Sequence, residues 1–118
     1  MSDFKFKRHK SSKVLAARYG SDVQIGRHKW KIIFCAELFY PEGGDILGLC
    51  VPTQRTVYIM ICDNYSTEET LVHELLHAEC YEAGLRQMPA WNINLEELIC
   101  EAASRALANY DIRRRRRA

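Results

Sequence analysis

The sequence predicts an α+β domain in which a small, mainly antiparallel sheet of three or four strands packs on two C-terminal helices. Three observations point there. Residues 28–62 break into β-branched and aromatic runs separated by turn clusters, and residues 66–110 carry two helix-start signals. A chain of 118 residues that is 47% hydrophobic is long enough for one core. We therefore expect a basic arm over residues 1–13, one domain over 14–112 and an Arg-rich tail over 113–118.

In chain order, MSDFKFKRHKSSK lacks periodicity and reads as a loose arm, and VLAARYG, Val14 to Gly20, reads as a short helix ended by glycine. KWKIIFCAELFY is strand-like, PEGGD is a turn cluster, ILGLCV is a short apolar strand, PTQR turns again, and TVYIMIC is a further strand. Hairpin-type connections between them predict the antiparallel sheet. Ser66 stands at capping-box spacing from Glu69 and opens a helix running to Gly84, where glycine can adopt the left-handed C-cap conformation. The second helix is expected to start at Asn94, with Glu97 completing a capping box and Ile93 stapled onto Leu98, and to run from Leu95 to about Tyr110. LRQMPAWNI joins the two, stiffened by Pro89.

The net charge of +2 hides an asymmetry: residues 1–31 carry +7, residues 32–112 carry −10, and Arg113 to Arg117 add +5. Basic ends of this kind can bind nucleic acid through phosphate contacts, or can simply be solvated. Five cysteines, widely spread and without a C-x-x-C pair, argue against a disulfide framework and for reduced, mostly buried thiols. No apolar run reaches the ~18 residues of a membrane span and the N-terminus lacks the apolar region of a signal peptide. The expectation is a soluble, cytoplasmic protein with no membrane contact.

One stretch carries chemistry. In TLVHELLHAECYEAG, residues 70–84, His73, Glu74 and His77 spell H-E-x-x-H inside a helix. Residues four apart share a helix face, so two imidazoles can hold one zinc ion about 2.0–2.1 Å from each nitrogen. Glu74 is turned about 100° from His73 and can instead act on the water that the ion activates, which suits a general base in peptide hydrolysis. The bland alternative is a pair of ordinary helix histidines, one half-buried and one paired with Glu69 or Glu74. The capping signals and the flanking Leu71, Val72, Leu75 and Leu76 favour the metal site.

A third ligand is expected on the second helix. Its wheel places Leu95, Leu98, Ile99, Ala102, Ala103, Ala106 and Tyr110 on one apolar face, with Glu96 at the edge and Glu97 nearly opposite. A buried carboxylate needs a charged partner, and Glu97 already has the capping role, so Glu96 is the expected ligand and Glu97 the runner-up. Three protein ligands leave a fourth position open, as in catalytic sites. Cys80 could close a four-ligand structural site but fits better as a buried thiol against the second helix. Tyr81, Tyr110 and Arg105 could polarise a substrate carbonyl, and each also reads as structural. An extended peptide could add to a sheet edge formed by TVYIMI.

With its preceding strand and the E-x-x-I-x-x-A-A of Glu96 to Ala103, the TLVHELLHAECYEAGL stretch resembles the minimal zincin metallopeptidases, in particular the small SprT-like and ImmA/IrrE-like group with many bacteriophage members. The likeness covers about residues 46–110, and its specific part is the H-E-x-x-H in that context. It implies a small sheet on the active-site helix, His73 and His77 as zinc ligands, Glu74 as general base, a glutamate on the next helix as third ligand, a protein or peptide substrate, and host cytoplasm if phage-encoded. The chain departs from the group in having no histidine after His77 and in carrying Cys100 four positions after Glu96. Two further readings remain beside this one: a nucleic-acid-associated protein with a structural zinc site, and a partner-binding protein whose zinc site is catalytically silent.

Overall fold

A computed structural model describes residues 3–63 and 66–117, with side chains through residue 109. The strand-forming runs give five strands, β1 (Lys5–Arg8), β2 (Asp22–Ile25), β3 (His28–Phe39), β4 (Gly48–Val51) and β5 (Thr56–Met60). Three helices accompany them: α1 (Ser12–Tyr19), α2 (Thr67–Glu82) and α3 (Ile93–Arg117). The fold is α+β, as expected.

The sheet is mixed, where a mainly antiparallel one of three or four strands was expected. Its order is β1-β3-β5-β4, with β2 also pairing β3. β3 and β5 run parallel, from Lys31 opposite Thr56 to Cys35 opposite Met60. The reason lies in the PEGGD connection. β3 is 12 residues long and outruns the 5-residue β5, and Phe39 bridges to Asp45 beyond the end of β5. The chain thus passes over the end of β5, forms β4 on its far side, and returns through a short turn as β5. Arg55, at φ 47°, takes the left-handed position in that turn. β5 is interior as a result, so the open edge near the histidines is β4 and not TVYIMI.

Residues 5–8 of the expected loose arm form β1, antiparallel to β3. Phe4 and Phe6 lie against Tyr58 with ring centroids 4.8 and 4.9 Å away. Both faces of the sheet are therefore covered. Trp30, Ile32, Phe34, Val57 and Ile59 point to the helical side, where Leu71 and Ala78 of α2 meet them. Ile33, Cys35, Leu38 and Tyr58 point the other way, beneath the N-terminal segment. The period-2 alternation of a strand thus explains why IIFC reads as a continuous apolar run.

The Ser66 hydroxyl accepts a hydrogen bond from the Glu69 amide at 3.1 Å, so α2 begins where its capping signal says. It ends at Glu82, and Gly84 takes φ 74° just beyond. The α3 start differs from expectation. Asn92 Oδ1 accepts from the Leu95 amide at 2.8 Å, which makes Asn92 the cap and leaves Glu97 without a capping role. The Ile93–Leu98 staple is absent, for the two side chains are 56% and 65% exposed. The backbone of α3 continues to Arg117 through the run expected as a tail. Its side chains from Tyr110 onward lie outside the described residues. No helix among the described residues is long and apolar enough to cross a membrane.

Candidate metal centre

α2 packs on β4 and β5 through one face and on α3 through the next, which leaves the H-E-x-x-H turn between the sheet edge and α3. His77 and Glu74 are buried, and His73 is half-buried. The two imidazoles lie with centroids 5.0 Å apart, as the i, i+4 spacing requires.

Glu97 completes the group. Its Oε1 is 2.6 Å from His73 Nε2 and its Oε2 is 2.9 Å from His77 Nε2. One donor atom from each of His73, His77 and Glu97 falls within 4.8 Å of the others, a set that can hold a metal ion. Two imidazole nitrogens and a carboxylate oxygen also suit an ion that accepts mixed N and O ligands.

Glu96, the ligand expected from sequence, stands behind His77 instead. It is 0% exposed, and its Oε2 lies 2.6 Å from His77 Nδ1. Arg86 grips it at both oxygens, Nε to Oε1 at 3.0 Å and Nη2 to Oε2 at 2.7 Å, and Trp91 Nε1 donates to Oε1 at 3.1 Å. Burial alone would raise the carboxyl's pKa, but the hydrogen bonds from Arg86, His77 and Trp91 outweigh it and hold the group down at about 2. An ionised Glu96 accepts the Nδ1–H of His77, a contact of the kind that orients a histidine ligand. The burial of Glu96 was correctly foreseen. Its charge partners are a guanidinium and an imidazole.

Glu74 reaches the same cleft from α2, and its carboxyl is pushed up to about 8, first by burial and then by the charge of Glu97. It is seated against Gly48 at the start of β4. A Cβ there would come within 2.7 Å of Glu74 Oε2, 2.8 Å of its Cγ and 3.0 Å of Thr70 Cγ2. The glycine is therefore a space for the glutamate.

A cleft of about 650 Å³ opens over His73, Glu74 and Glu97, walled by the Tyr40–Leu47 connection, the first turns of α2, and α3. The charged residues lining it are all acidic: Asp45, Glu69, Glu74, Glu97 and Glu101.

Cys80, Tyr81 and Arg105 stand apart from the His73–His77–Glu97 group. The Cys80 thiol is pushed up, first by burial and then by the charge of Glu96. Tyr81 packs edge-on against Trp30 at 6.3 Å, Arg105 pairs with Glu101 at 3.5 Å on the surface, and the Tyr110 side chain is outside the described residues.

Sequence reasoning missed Arg86, Trp91 and Gly48. A signal for Arg86 was present, because residues 32–112 hold only three Lys/Arg and a buried glutamate needs one of them. Nothing in the sequence marked Gly48. No family model, curated protein or solved structure matches this chain.

Proposed function

We propose that the protein is a zinc-dependent metallopeptidase of the minimal zincin kind, hydrolysing peptide bonds in a protein or peptide substrate. The observation that supports this most is the convergence of His73, His77 and Glu97, with His73, Glu97 and Glu74 facing an open cleft. In this reading His73, His77 and Glu97 hold the ion through two Nε2 atoms and a carboxylate. Zinc, when bound, supplies Lewis acidity toward water and the scissile carbonyl.

The protein's own residues do the rest. Glu74, whose ionised form a bound cation beside it would favour, takes a proton from the attacking water and returns it to the leaving amine. Gly48 leaves room for its carboxylate beside β4. Glu96, fixed by Arg86 and Trp91, keeps His77 in the tautomer that presents Nε2. An extended peptide would lie along β4, the end strand of the sheet, with its backbone added to that edge. A glutamate base and three protein ligands are the division of labour of a hydrolytic site rather than a closed structural one.

Zinc loading and cleavage of unstructured protein substrates test this together. Wild type should bind about one zinc per chain and cleave, whereas Glu74→Gln should keep zinc and lose cleavage by at least about 100-fold, the scale of a general base. Equal cleavage by both proteins would rule Glu74 out as the base.

A second reading is favoured by the exposed Lys5, Lys7 and Arg8 of β1. Here a nucleic acid is bound through the basic N-terminal segment and the zinc site is structural or silent. It requires salt-dependent binding that survives Glu74→Gln and falls when these three residues are changed to Gln.

A further inference from the structure

The apolar stripe of α3 points to solvent. Leu95, Leu98, Ile99, Ala102 and Ala106 are exposed, Leu98 to 65%. Glu96, Cys100, Ser104 and Ala108 are the buried positions of the same helix. The five exposed residues recur at three- and four-residue spacing, so they form one continuous strip. It is about 17 Å long at 1.5 Å per residue. The metal centre explains why the helix is turned this way: with Glu96 against His77 and Glu97 against both imidazoles, the apolar side must face outward. Apolar side chains at this spacing form a face on which a second helix can pack.

We propose that this strip is the contact between two copies of the chain, with their α3 helices packed antiparallel about a two-fold axis near Ala102 and Ala103. Charge selects this occupant. Glu101 and Arg105 are exposed along one flank of the strip, one turn apart, with a 3.5 Å contact to each other. In an antiparallel pair centred there, Glu101 of one copy faces the partner's Arg105, and the symmetry repeats the pair. A single flank carrying both signs is thus complementary to itself.

Two more features agree. Ala102 and Ala106 near the crossing let the helices approach to about 8 Å, while Leu98 and Ile99 reach the Ala106 end of the other copy. An anionic lipid surface is disfavoured, because the flank is neutral and the adjoining cleft carries Asp45, Glu69 and Glu97. The helix footprint is only about 200 Å² per copy from helix dimensions, against about 800 Å² in standard stable interfaces. The dimer is therefore a weak, concentration-dependent one.

Sedimentation equilibrium of the full chain from roughly 1 to 500 µM tests it, a range chosen for weak association. The mass should climb from one chain toward two. Leu98→Glu should raise the dissociation constant by about 30-fold or more, the mark of a central contact, with the thermal midpoint and far-UV spectrum unchanged. Glu101→Arg should weaken the dimer and addition of Arg105→Glu should restore it. A single-chain mass throughout, a dimer indifferent to Leu98→Glu, or a monomer that floats with phosphatidylserine vesicles and loses that property with Leu98→Glu would each overturn the proposal, the last by assigning the strip to lipid.

Discussion

Glu96 and Glu97 are chemically identical neighbours about 100° apart on one helix, and that angle gives them different work. Glu97 meets both Nε2 atoms while Glu96 meets Nδ1 of His77. Glu97→Gln should accordingly cost zinc affinity more than Glu96→Gln, for which the expected loss is about 10–100-fold as for other residues that orient a histidine ligand. Competition with a chromophoric chelator ranks the two, and equal losses would contradict the assignment. Arg86→Met leaves the Glu96 carboxylate buried with its main cation gone. The cost should be on the order of 3 kcal/mol in urea unfolding, typical of a buried pair that loses one partner. Gly48→Ala should destabilise by about 1–3 kcal/mol through overpacking against Glu74. On the proposed function it should also lower turnover while zinc is retained, because Glu74 serves there as the base and not as a ligand.

At the level of elements, the helix caps separate what was legible from what was not. Ser66 was readable as a cap because its partner Glu69 stands at capping-box spacing, and Ser66→Ala should cost about 1 kcal/mol in urea unfolding. For α3 the sequence offers two asparagines, and the structure uses Asn92. Asn92→Ala should cost a similar ~1 kcal/mol and Asn94→Ala only a few tenths. The reverse order would place the helix start where the sequence suggested. The locations of β3, β4, β5, α1 and α2 were legible from local pattern, since periodicity and turn residues are local properties. The parallel pairing of β3 with β5 was not, because it depends on where an eight-residue connection lands and no local signal encodes that. Nor was the side of α3 that faces the domain. Apolar residues at helical spacing normally mark the buried side, but here the inward positions are held by Glu96, Glu97, Cys100 and Ser104. The pairing of His73 with His77 was legible from spacing alone, whereas Glu97, and not Glu96, stands against both Nε2 atoms because that side of α3 faces α2.

Over the whole molecule, Glu82 at the end of α2 ties the helical layer to the sheet. Its carboxylate meets His28 Nδ1 at 2.7 Å, Trp30 Nε1 at 3.4 Å and Arg55 Nε at 3.5 Å, so β3, the β4–β5 turn and α2 share one anion. Burial raises its pKa, and the hydrogen bonds from Trp30 and His28 with the charges of His28 and Arg55 bring it below the ordinary 4.5. A depressed carboxyl contributes stability above its unfolded pKa and loses it as pH falls through the folded value. Stability should therefore drop below about pH 4.5 more steeply in wild type than in Glu82→Gln, as read from unfolding midpoints across an acid series. On the proposed function, the same fold brings His73, His77 and Glu97 together around a zinc ion with Glu74 free to act as base. Elemental mass spectrometry on wild type, His73→Ala, Glu97→Gln and Glu74→Gln, each purified without added metal and again after adding zinc back, tests it most directly. The account predicts about one zinc per chain in wild type and Glu74→Gln, sharply less in Glu97→Gln and none in His73→Ala. Wild-type protein that holds no zinc even after it is added back, or zinc retained in full by His73→Ala, would contradict it.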